Sequence, residues 1–198
     1  MRRTLCFAVV MFCLVVAAQQ PESTTVTVRG HNLGENVAVF AERFGCAHLL
    51  SMSAKEAKRS RSTDDVAACR MLTSNAAGRL AVRKAATAPY NGYEATFNNG
   101  NLASITVDSP IFQTALDDVS ERYGKPLKMW AEKRSNAYGA IFELHSATWT
   151  LPGGISIVAL EGFSADDPGR PATEITFFAP GEMARIAAEQ PKRPNGLD

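Results

Sequence analysis

The chain has 198 residues, of which 45% are hydrophobic, with 21 Lys and Arg against 20 Asp and Glu. That length buries enough surface for one compact domain or two small ones, with no cofactor or metal needed to hold the fold. The near-neutral charge argues against a bulk electrostatic partner such as nucleic acid or an anionic membrane surface.

Arg2 and Arg3 open the chain, an uncharged and largely apolar run follows from Thr4 to Ala18, and the polar string Gln19-Gln20-Pro21-Glu22-Ser23 comes next. This is the pattern of a cleaved secretory signal peptide. A membrane anchor needs about twenty apolar residues, more than the run supplies. A lipid anchor needs a cysteine after small residues at the end of the run, whereas Cys13 follows Val10-Met11-Phe12 and precedes further apolar residues. The expected organisation is a signal peptide at 1–18, an amino-terminal strand–helix segment at 19–88, an antiparallel sheet plus helix at 89–190, and a frayed polar tail at 191–198. The protein is expected in the periplasm or outside the cell, with no stable membrane anchor. Losing Arg2 and Arg3 leaves 19 basic against 20 acidic residues, a net charge of −1.

Cys6 and Cys13 depart with the leader, and the remaining pair, Cys46 and Cys69, is most simply a disulfide in an oxidising compartment. Closing the loop 46–69 stabilises the fold by roughly 3 kcal/mol on the loop-entropy account. A metal pair or two free thiols are the alternatives. A catalytic thiol is disfavoured, since His48 is the single nearby base.

Thr24-Thr25-Val26-Thr27-Val28 alternates and is β-branched, which predicts a first strand ended by Gly30. Val37, Phe40, Ala41 and Phe44 then recur at helical spacing, closed by Gly45. From Ser53 to Leu72 two helical pieces are expected. Ser53 and Glu56 form a capping box for the first, and Thr63-Asp64-Asp65 starts the second, which carries Val66, Cys69 and Leu72 inward. Between them Lys55, Lys58, Arg59 and Arg61 read as a solvated basic face. Tyr93–Phe97 and Leu102–Val107 alternate with period two around Asn98-Asn99-Gly100-Asn101, a tight hairpin. Ser109 as N-cap and Pro110 at the first position open a helix with Ile111, Phe112, Ala115, Leu116, Val119 and Tyr123 on one face, stopped by Gly124 and Pro126. Three strands follow at 140–151, 155–160 and 173–178, the first two joined through Pro152-Gly153-Gly154. Pro180-Gly181 opens a short last helix. The fold class is α+β, an antiparallel sheet with helices on one face. Strand, turn, helix and Gly occur both at Val26–Gly45 and at Ile105–Gly124, which allows two related α+β repeats.

No catalytic, cofactor-binding or metal-binding constellation is present. His31, His48 and His145 are far apart, and no zinc spacing, nucleophile elbow, P-loop or dinucleotide glycine pattern occurs. The adjacent pairs Asp64-Asp65, Asp117-Asp118 and Asp166-Asp167 suit helix starts, helix surface and turn chemistry better than acid–base work across a cleft. Aromatic residues concentrate in the second half. Most belong in a core, and Trp130, Tyr138, Trp149 and Phe163 are the candidate contact surface.

The string Phe97-Asn98-Asn99-Gly100-Asn101-Leu102-Ala103-Ser104-Ile105, the helix end Tyr123-Gly124-Lys125-Pro126 with Trp130, and Gly30-His31-Asn32-Leu33-Gly34 resemble a pattern of small exported bacterial proteins. The layout is similar to the α+β modules of beta-lactamase inhibitor protein and of the small lipoprotein of the outer-membrane barrel assembly machine. The resemblance implies a fold and carries no catalytic residue; the lipid-bearing cysteine of the lipoproteins is absent here. The expected function is a non-enzymatic, exported protein-binding or assembly module. The alternatives are a small hydrolase using dispersed residues such as His48, Asp64 and Glu42, and a carrier of a small apolar ligand held between sheet and helix.

Overall fold

The structure, a computed structural model, describes residues 25–74, 78–84, 92–163, 169 and 171–189. The expected leader, the pair Asp166-Asp167 and the tail from Gln190 lie outside these residues.

The described chain begins with a small hairpin of β1 (Thr27–Val28) and β2 (His31–Asn32), followed by α1 (Val37–Phe44). Asn36 caps α1 by accepting from the Ala38 N–H at 2.9 Å. Gly45 ends it at φ +85°, a left-handed turn in which its N–H reaches the Ala41 and Glu42 carbonyls. Val37, Phe40, Ala41 and Phe44 are the buried face, as their spacing predicts.

Three further helices follow: α2 (Cys46–Ser51), α3 (Ala54–Arg59) and α4 (Thr63–Ser74). The capping box at Ser53 and Glu56 is formed in full, and Val66, Cys69 and Leu72 of α4 are buried. The Cys46–Cys69 disulfide joins α2 to α4 with Cα atoms 5.2 Å apart, an ordinary span for a bridge.

Seven strands then form one antiparallel sheet: β3 (Arg79–Lys84), β4 (Tyr93–Asn98), β5 (Asn101–Ser109), β6 (Lys128–Ser135), β7 (Ile141–Thr150), β8 (Ser156–Phe163) and β9 (Pro171–Phe178). Their spatial order is β3-β4-β5-β9-β8-β7-β6. The β4–β5 hairpin turns at Asn99 and Gly100 with φ of +49° and +78°, the pair of positive angles that its Asn-Gly sequence supplies. α5 (Phe112–Tyr123) crosses from β5 to β6, and α6 (Glu182–Glu189) ends the described chain.

Because side chains alternate across a strand, one register row shows which face is the core. Val82, Ala95, Ile105, Phe177, Ile157 and Trp149 stand side by side on six strands, and all are buried. The row one residue over, Arg83-Glu94-Thr106-Thr176-Val158-Thr148-Lys128, is mostly polar and faces the other way. α1, α4 and α5 lie against the apolar face, with α5 crossing β5, β9, β8 and β7, while α2 and α3 pack onto α4. The indole N–H of Trp149 donates to the Gly124 carbonyl at 2.9 Å, so the end of α5 satisfies the one polar atom of a core indole.

The α+β class and the antiparallel sheet agree with the sequence reading; several details do not. β1 is two residues long and pairs with β2 outside the main sheet, whereas β5 has nine residues at the sheet centre. Val26–Gly45 and Ile105–Gly124 are therefore not equivalent units. The residues of β3 fall inside the expected amino-terminal segment, yet they pair along the whole strand with β4, so segments 19–88 and 89–190 share one sheet. α5 starts at Phe112, not at Pro110. Ile111 is extended and exposed, and the Ser109 hydroxyl bonds the Ile111 carbonyl and caps nothing. β3 and β6 had no counterpart among the expected strands.

Candidate functional site

β6 and its turn make the most unusual surface among the described residues. β6 is the last strand in the sheet order, and every one of its eight residues is exposed. Met129 extends the register row of Tyr93, Val107, Ile175, Ala159 and Ala147 on the helix side, but at the far end of the row from α1 and α4. Trp130 lies on the other face, where alternation also places Phe142, Leu144 and Leu160. The Lys128 ammonium sits 5.5 Å from the Trp130 ring centroid, a cation–π contact.

The turn into β7 is built by Asn136, which is buried. Its side-chain oxygen accepts from the N–H groups of Tyr138 and Ala140 at 3.0 and 2.9 Å, and its own N–H donates to the Ala140 carbonyl. The chain reverses tightly around that side chain, with Gly139 at φ +83°. The result pushes Tyr138 outward to 76% exposure and Ile141 to 73%. Among the described residues, six of the eleven exposed large hydrophobic side chains, Leu127, Met129, Trp130, Tyr138, Ile141 and Leu160, belong to this end of the sheet.

The sequence-derived contact set is thus divided. Trp130 and Tyr138 share this end of the sheet and are exposed. Phe163 is half-buried, edge-on to Phe142 with ring centroids 5.5 Å apart. Trp149 is a correction: at 2% exposure it is a core residue, because its position on β7 falls on the helix-covered face. Sequence reasoning missed Met129, Leu127 and Ile141, since the polar composition of Lys128–Ser135 hid the strand that presents them.

The dispersed hydrolase set does not assemble. His48, Asp64 and Glu42 are exposed on α2, α4 and α1, no hydrogen bond or ion pair joins them, and they line neither of the described cavities. His145 is exposed on β7 and pairs with Glu161, Nδ1 to Oε2 at 2.8 Å. Among the described residues no group of three or more His, Cys, Asp or Glu is placed to hold a metal.

A buried polar network that the sequence reading did not anticipate lies under α1. His31 Nδ1 meets Glu35 Oε1 at 2.8 Å and Nε2 meets the Tyr93 hydroxyl at 3.0 Å. Its ring stacks on Phe40 with centroids 3.9 Å apart. Glu35 also accepts from Arg43 and from the Asn32 N–H. Burial holds the His31 imidazole below its ordinary value, more than the Glu35 carboxylate raises it. Burial also pushes the Tyr93 phenol well above its ordinary range. The arrangement orders carboxylate, imidazole and hydroxyl in sequence, with His31 only 3% exposed. The network ties the β1–β2 hairpin to β4.

The helix layer is not closed, however: a cleft opens between α5, the β1–β2 turn and the sheet. No helix among the described residues is long and apolar enough to cross a membrane. No protein-family model, curated protein or solved structure matches the chain.

Proposed function

We propose that the chain is an exported, non-enzymatic binding module that captures an extended segment of another protein by adding it as a strand to β6. The carrying observation is an eight-residue terminal strand exposed along its length and flanked by a cluster of exposed apolar side chains. An unpaired strand edge offers a row of backbone donors and acceptors, and the alternating side chains beside it supply specificity. Trp130 and Met129, on opposite faces of β6, provide an apolar contact for either face of an incoming strand.

Charge narrows the partner. β6 carries Lys128, Lys133 and Arg134 against Glu132, a net charge of +2. Like charge disfavours pairing of β6 with a second copy and favours a segment that alternates apolar and acidic residues. Export is supported by the leader pattern and by the disulfide, a bond that persists in oxidising compartments.

The reading is tested by selecting random linear peptides displayed on phage against the immobilised chain, in parallel with a Trp130→Ala/Ile141→Ser variant. Enriched peptides are expected to alternate apolar and acidic residues and to bind the variant about tenfold more weakly, since large exposed anchors dominate such interfaces. Absence of enrichment, or equal binding by the variant, overturns the proposal.

A further inference from the structure

The cleft beside α5 lies on the helix side of the sheet, apart from the exposed cluster around Trp130 and β6, and has a volume of about 470 Å³. That size lies within the range of small-molecule sites, roughly 300–1,000 Å³. It exists because two separate helical groups cover the sheet. α1 and α4 cover the β3–β5 side, α5 runs over β5, β9, β8 and β7, and the cleft opens beside α5 where the two groups meet, with its floor on β5 and β9. Val107, Ile175 and Phe177 form an apolar floor, neighbours on β5 and β9. Val28 and Val119 close the two sides.

The rim is charged with both signs. Asp118 and Arg122 line it from α5, and Arg29 adds a second guanidinium from the β1–β2 turn. Asp118 and Arg122 are four residues apart on one helix face, with Cβ atoms about 6 Å apart, the spacing at which such residues pair. They form no ion pair with each other, and among the described residues neither has a hydrogen-bond partner. An acid and a base held one turn apart over an apolar floor match a ligand that carries a cation and an anion at similar separation with an apolar body between.

We infer that this cleft binds a small zwitterion with apolar side chains, a hydrophobic dipeptide being the best-sized member of the class. Two residues of extended chain span about 7 Å, so an α-ammonium at Asp118 and an α-carboxylate at Arg122 are reached together. The side chains then lie on Val107, Ile175 and Phe177. A simple fatty acid leaves Asp118 facing an apolar chain beside its own like-charged head, and a simple amine does the same to Arg122.

Titration of the full chain with leucyl-leucine, N-acetyl-leucyl-leucine, octanoate and octylamine, followed by isothermal calorimetry, tests the inference. Leucyl-leucine is expected to bind best, with the acetylated form about tenfold weaker because one charge-assisted hydrogen bond is lost. Asp118→Asn is expected to erase the preference for the free amine, and Arg122→Gln to weaken every ligand bearing a carboxylate. Both positions are exposed on α5, and an unchanged thermal midpoint shows that the variants are folded. Octanoate binding as well as the dipeptide, a variant with unaltered preference, or no binding by any probe overturns the assignment. None of these outcomes bears on β6.

Discussion

At the scale of single residues, His31 carries the clearest consequence. Its ring faces Glu35 and Tyr93 through hydrogen bonds, lies on Phe40, and feels the positive charges of Arg43 and Lys84. With its pKa held down in the folded chain, the unfolded chain binds a proton at higher pH, near 6.5. The stabilisation is therefore fully present above pH 6.5 and is lost as pH falls below that value. Urea midpoints between pH 7 and 5.5 should decline for the natural chain and stay nearly flat for His31→Phe. A variant that declines as steeply as the natural chain would place the titration elsewhere. The same substitution leaves Glu35 and the Tyr93 hydroxyl each short of a partner and is expected to cost about 1–3 kcal/mol at pH 7. Sequence could not show this network, because His31 and Tyr93 are 62 residues apart and only the fold brings them together. Glu35, four residues from His31, was the one partner within reach of a local reading.

At the scale of elements, the amino-terminal helices are too short to stand alone. α2 and α3 have six residues each, well below the roughly 12–15 at which an isolated helix becomes even marginal in water. What holds them is a reciprocal cap at Ser53 and Glu56, and a covalent tie from the first residue of α2 to the buried face of α4. A Cys46→Ala/Cys69→Ala double variant should lose about 3 kcal/mol by urea unfolding, and reductant should lower the natural chain by a similar amount while leaving the variant unchanged. Equal stability of the two chains would show the thiols to be unbridged. These elements were legible because each is a local signal: a capping box, a Gly in the left-handed region, an Asn-Gly turn. β6 was not, because Lys128–Ser135 has none of the alternation that marks a half-buried strand. Exposed on all sides, it has no buried face to print a pattern on the sequence. The start of α5 was misread for a related reason: Ser109 and Pro110 form a cap signature, but Ser109 still pairs with Thr173 as the last residue of β5.

At the scale of the whole molecule, the order of strands departs furthest from the order of the chain. β9, the last strand, inserts between β5 and β8 and pairs on both edges, and the Thr106 and Thr176 hydroxyls bond across the β5–β9 seam at 3.0 Å. Without β9 the strands β3–β5 and β6–β8 are two separate ladders, so the sheet becomes continuous only when the end of the chain is in place. The alternation of residues 173–178 announced a strand, but nothing local could say which strands it joins. This topology sets a gradient of stability from the centre outward. Amides of β5, β8 and β9 have partners on both sides and sit over the apolar rows, so they should exchange with deuterium only when the whole domain unfolds. Among the described residues β6 has one neighbour and an open edge, and its peptides should exchange first among the strands, through local fraying. Hydrogen exchange read by mass spectrometry distinguishes the cases directly. A peptide covering 128–135 that labels well before one covering 171–178, and slows when an acidic–apolar partner segment is added, is the behaviour of an open edge awaiting a strand. Protection of 128–135 equal to that of 171–178 in the unliganded chain would mean that the edge is already covered, and the proposed docking of a foreign strand would fail with it.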